Sequence, residues 1–176
     1  NSHQGRSDLD ALRLMAKIGN LLDDEKYVGL GIQLSQDSLD IIKKLYYTED
    51  YSNAAQKCKK LLPNIPNNES LREFYIKALI QEEKWDEADH LIDDSRSIIG
   101  QQETYYLKGF FHRKRGEFSL AIENYNLSKD LGRNETAINR ELAISYMHEN
   151  RLDDAVTCIE KSLEKLYSSS IQRLDF

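Results

Sequence analysis

Residues 117–125 read EFSLAIENY, with Phe118 three positions before Ala121 and Tyr125 four positions after it. The arrangement recurs as Tyr51, Ala54 and Cys58 in DYSNAAQKC, as Trp85, Ala88 and Ile92 in KWDEADHLI, and as Leu152, Ala155 and Ile159 in RLDDAVTCI. The four alanines are 34, 33 and 34 residues apart. Offsets of three and four fall on one face of an α-helix. A fixed period of about 20–50 residues marks a repeat architecture.

Each period reads as two helices. The first helix of the third period is ETYYLKGFFHRKRG, with Tyr105, Gly109 and Phe111 as inward candidates; that of the fourth is AINRELAISYMHEN, with Leu142, Ala143 and Tyr146. Gly109 and Ala143 stand twelve positions before Ala121 and Ala155. In a helical hairpin such small side chains can face each other, which lets two backbones approach while bulky neighbours fill the flanks. A larger residue at the alanine positions should overpack the crossing, at a cost of about 1–3 kcal/mol.

This pattern resembles the tetratricopeptide repeat family. Gly109, Ala121 and Ser128 of the third unit, and Ala143, Ala155 and Ser162 of the fourth, stand at the family's small positions. Ala54 and Pro66 do so in the first, where LPNIPNN looks like the family's inter-repeat turn. The first two units depart from the pattern, with Ile42 and Ile76 at a small position and Leu61 and Ser95 at the last alanine. The resemblance implies an all-α, right-handed superhelical array of about four helix-turn-helix repeats, over residues 35–68, 69–101, 102–135 and 136–168.

Residues 1–6 read as a tag or linker. Residues 7–34 do not fit the period. SDLDALRLMAKIGNLL puts Leu9, Leu12, Ala16, Gly19 and Leu22 on one helical face, with Ser7 placed to cap it. That reads as an extra N-terminal helix. YVGLGIQLSQDS reads either as a second helix weakened by Gly29 and Gly31 or as a hinge. Residues 169–176 read as the start of a C-terminal cap or tail.

Composition narrows the function. The net charge is −6 and the pI about 5.3. This balance argues against a phosphate backbone as the main ligand, since that electrostatic attraction needs clustered Lys and Arg. No apolar run of about 18 residues predicts a membrane span, and the chain reads as cytoplasmic. Cys58 and Cys158 are a hundred residues apart and read as small buried hydrophobes. His90 has Asp86 and Asp94 four residues to either side, which reads as helix-surface charge rather than a metal site. No phosphate loop, nucleophile elbow or cofactor motif appears, so neither catalysis nor a small-molecule substrate is expected.

In the resembling family the first helices line a concave face that binds peptides. Carried over, that face takes in Lys43, Tyr46 and Tyr47 from the first unit and Lys77 from the second. The third unit adds Tyr106, Phe110 and Arg113, and the fourth Arg140. Aromatic and cationic groups together suit a partner offering apolar anchors and carboxylates. One family subclass grips a C-terminal carboxylate with Lys and Asn. Here Leu39, Phe74, Leu107 and Glu103 stand at those places and only Lys43 matches in kind, so no such clamp is expected. The expected function is a non-catalytic protein-interaction module or scaffold, part of a larger regulatory or signalling protein. The alternatives are a self-associating or regulatory output segment behind an upstream domain such as a receiver, dimerising through the N-terminal helix or the chain ends, and, behind it, an RNA-binding helical repeat.

Overall fold

The computed structural model describes residues 25–171, and side-chain surroundings for residues 36–164. The expected tag at 1–6, the expected Leu9–Leu22 helix and residues 172–176 lie outside the described residues. Every element among the described residues is helical. In chain order they are α1 (Glu25–Tyr47), α2 (Tyr51–Leu61), α3 (Glu69–Gln81), α4 (Trp85–Lys114), α5 (Phe118–Asp130), α6 (Glu135–His148) and α7 (Leu152–Ile171). The chain divides into two compact units, Asn1–Glu82 and Glu83–Phe176.

Within the first unit α2 packs against both α1 and α3, and α1 also touches α3. Within the second, α5 packs on α4, α6 on α5 and α7 on α6, and α4 also reaches α6. Contact with the next helix and the next but one is the signature of stacked hairpins. α1 runs through Gly29, Gly31 and residue 35, so the stretch that reads as a helix or a hinge is continuous helix.

The period has a structural counterpart in the turns. Glu49, Glu83, Gly116 and Asn150 have φ of 62°, 58°, 79° and 58°, at the same place in each period. After α1 the turn is closed by Glu49 N–H to Tyr46 O at 3.1 Å and Asp50 N–H to Leu45 O at 2.9 Å. The same pair of bonds closes the turns at Gly116 and Asn150. This left-handed cap satisfies carbonyls at the end of one helix and aims the chain back along it. Helices that begin after a longer connection use side-chain caps. Asn68 accepts from Leu71 N–H at 2.8 Å, and Asn134 accepts from Thr136 N–H at 3.0 Å.

α4 is two helices joined without a loop. Gly100 sits between them at φ 79°, ψ 166°, a conformation that is essentially open to glycine alone. The first arm carries Ala88 and Ile92 and the second carries Gly109, so Gly100 is the joint between two periods of the pattern.

The alanines are buried as the pattern requires. Ala54, Ala88 and Ala121 are 0% exposed and Ala155 3%. Gly109 has a different neighbour from the expected one. A Cβ there would come 2.6 Å from Cδ1 of Tyr125. Gly109 therefore makes room for an aromatic ring, its nearest neighbour being Tyr125, one helical turn after Ala121. Ile159 also departs from its pattern. It is exposed, and Cys158 is the buried residue on that turn of α7.

Candidate partner-binding surface

In the first unit, α1 and α3 bring an aromatic cluster to one place. Tyr46 meets Tyr47, Tyr51 and Phe74 edge to face, with ring centroids 5.8, 5.3 and 5.5 Å apart. Tyr47 also meets Phe74 at 6.2 Å. These spacings are favourable for T-shaped pairs. The last turn of α1 supplies two adjacent tyrosines because its next residues enter the left-handed turn, which brings Tyr51 back towards them. Phe74 is buried, Tyr46 half-buried and Tyr47 74% exposed. The Lys77 ammonium lies 5.9 Å from the centre of the Phe74 ring and is paired with Glu73. Lys43 is 3.8 Å from Asp40. Lys43, Tyr46, Tyr47 and Lys77 thus lie on neighbouring helices, with Tyr47 the outermost.

In the second unit the expected residues separate into two levels. Tyr106 and Phe110 are buried. Tyr106 packs against Tyr125 at 5.7 Å, and the Arg133 guanidinium covers it at 3.6 Å while also pairing with Glu103. Phe110 lies under Arg113 and Lys114, at 5.3 and 5.8 Å. These two aromatics form the floor; they are not free anchors.

The same Arg113 reaches a polar hub at Glu141, only 4% exposed. Arg113 Nη2 is 3.0 Å from Glu141 Oε2, a charge contact that lies off the line of a directed hydrogen bond. Arg140 Nη2 donates to Glu141 Oε1 at 2.9 Å. Arg113 Nε also reaches the Tyr125 hydroxyl at 3.4 Å. Burial works against the Arg113 charge, but Tyr125, Glu141 and Tyr106 outweigh it and keep the guanidinium's pKa raised. Burial first, and then Glu141, push the Tyr125 phenol well above its usual range. The hydrogen bond to Glu141, then the charge of that carboxylate, raises Arg140. Arg140 is the accessible member, its side chain 72% exposed, with Met147 57% exposed on the same helix.

Glu141 was not among the expected residues. Its signal lay in the sequence: a glutamate beside Leu142 and Ala143, within the apolar rows of α6. Phe74, also not among the expected residues, joins the aromatic cluster of the first unit. The HRKRG cluster is distributed over several partners. His112 Nδ1 bonds Glu117 at 2.7 Å, Arg115 bonds the same carboxylate at 2.9 Å, and Arg113 belongs to Glu141. The His112 hydrogen bond is the main reason the Glu117 carboxyl is held below its usual range. No group of three or more His, Cys, Asp or Glu among the described residues could hold a metal ion, and no helix among them is long and apolar enough to cross a membrane.

No family model matches the chain, and no curated relative does. Solved structures do. The thermophilic TPR protein TTC0263 of Thermus thermophilus superposes with a TM-score of 0.68 at 16% identity, over 96% of each chain. A crystal structure of MamA matches with a TM-score of 0.57 at 17% identity, over 96% of this chain and 95% of that one. MamA from AMB-1 matches with 0.52 at 17%, over 88% and 94%. The fold is that of the tetratricopeptide repeat. The likeness spans nearly the full lengths of these chains while the side chains differ at most positions. What this TPR-like chain binds must therefore be argued from its own surface.

Proposed function

We propose that this TPR-like chain is a protein-interaction module that takes a peptide or partner segment on the side chains of its first helices. The observation that carries the reading is Tyr47. A tyrosine 74% exposed, held by aromatic neighbours and flanked by Lys43 and Lys77, is an anchor whose ordering cost is already met. Arg140 gives the second unit a cation supported from below by Glu141. A ligand segment with aliphatic or aromatic anchors next to Asp or Glu would match either unit. The role fits a scaffold in a larger regulatory protein, working in the cytoplasm. The internal pairing of Arg113, Arg133 and Lys108 leaves little of the continuous cationic stripe that RNA binding requires.

Selection of a displayed random-peptide library against the chain tests this. Enriched sequences should combine apolar anchors with acidic residues. Tyr47→Ala with Lys43→Glu should weaken them at least tenfold, with unchanged circular dichroism. Binding that survives both that variant and Arg140→Glu places the ligand elsewhere. Tyr106 and Phe110 are poor test positions because truncating buried rings changes packing.

A further inference from the structure

One face of α7 is uncovered by any described residue. Leu152, Val156, Ile159 and Leu163 are 57%, 51%, 45% and 56% exposed. Their spacing of four, three and four aligns them in one row. Contiguous apolar surface of this kind usually marks an interaction site. One period earlier, the corresponding residues show what covers such a row. Ile122 and Tyr125 of α5 are buried, and Phe118 stacks on His148 of α6 at 4.3 Å. There the cover at Phe118 is the next helix, while Tyr125 also lies against Gly109 and Tyr106 of the preceding one. The row on α7 accordingly has the form of a seat for one more amphipathic helix.

Charge narrows the choice of helix. On one flank of the row, Ala155 and Cys158 are buried in the hairpin with α6. The other flank carries Asp153, Glu160 and Glu164, all on the exposed side of α7. Two copies of α7 laid antiparallel would bring these acidic flanks together, which is unfavourable. A helix with cations along one flank is complementary. Residues 7–22, which lie outside the described residues, carry that pattern. Their helical spacing puts Leu9, Leu12, Ala16 and Gly19 in a row with Arg13 and Lys17 beside it. The small Ala16 and Gly19 suit close approach to a facing helix.

We propose that residues 7–22 of one copy dock as a helix on the Leu152–Leu163 row of a second copy, with Arg13 and Lys17 against Asp153, Glu160 and Glu164. The two patches differ, so the contact is head-to-tail and leads to rings or open chains. It uses neither Tyr47 nor Arg140, and it stands or fails apart from the peptide-binding reading.

Sedimentation velocity of the full chain over a range of concentrations is the test. The wild type should self-associate, more weakly at high salt. Ile159→Glu should abolish association, as should Arg13→Glu with Lys17→Glu. Asp153→Lys with Glu160→Lys and Glu164→Lys should do the same, and these α7 positions are exposed, so the fold should persist by circular dichroism. Mixing the two charge-reversed chains should restore association, because each then supplies the other's complement. A wild type that remains monomeric throughout overturns the proposal. So does association that survives both charge reversals, which would instead indicate α7 meeting α7, or a mixture that stays monomeric.

Discussion

An alanine at Gly109 would place its Cβ 2.6 and 2.7 Å from two ring carbons of Tyr125. The ring has no room to retreat, since Tyr125 is 0% exposed and its hydroxyl is engaged by Arg113. Gly109→Ala should therefore destabilise the fold by about 1–3 kcal/mol, despite alanine's better helix propensity. Urea denaturation would check this as a lower midpoint with an unchanged slope. The sequence marked Gly109 as a close-packing position but not its partner, because a helical register fixes the facing side and leaves the opposing rotamer open. The same limit explains Tyr106 and Phe110. The family resemblance put them on the expected binding face, yet Arg133, Arg113 and Lys114 cover them. Tyr47 of the first unit and Arg140 of the second remain exposed.

The recurring left-handed turn makes a prediction at the level of the hairpin. Glu49 and Glu83 occupy a conformation that costs an L-residue about 1–2 kcal/mol, which glycine largely avoids. Glu49→Gly and Glu83→Gly should each raise Tm, while Gly100→Ala should lower it. At Gly100 nothing lies within 4 Å of an added Cβ, so the loss there would come from backbone strain alone, of about 1–3 kcal/mol. Thermal melts of the three variants separate strain from crowding. The alanine period exposed the helices well, but it did not show how they are joined. Only one of the four turns carries the glycine that announces such a cap; the others use Glu and Asn. At Gly100 the joint needs no loop residues, so no polar stretch betrays it.

Across the molecule, each compact unit contains one buried cysteine, and the two thiols can serve as local reporters. Cys58 is 0% exposed and burial pushes its thiol up to about 12, so almost no thiolate is present near neutral pH. Cys158 is 9% exposed, and its thiol is raised by burial while Lys129 and Lys161 act the other way. Timed alkylation with peptide mapping should label Cys158 first, and Cys58 at a rate that tracks opening of the first unit in added urea. Equal rates in native buffer would show that the two units open together. The period made Cys58 legible as an interior position, whereas Ile159 misled and Cys158 took the buried place beside it, because a repeat predicts the face a residue shares with its equivalents, not whether another helix arrives to cover it. Arg140 has a related lesson in reverse, because Glu141 occupies it already. In a molecule of net charge −6, an arriving carboxylate must share that guanidinium with a resident one or displace it. On the proposed reading the protein keeps its own competitor at the door: weakly acidic passers-by would be turned away, and admission would go to ligands that bring an apolar grip as well as a charge.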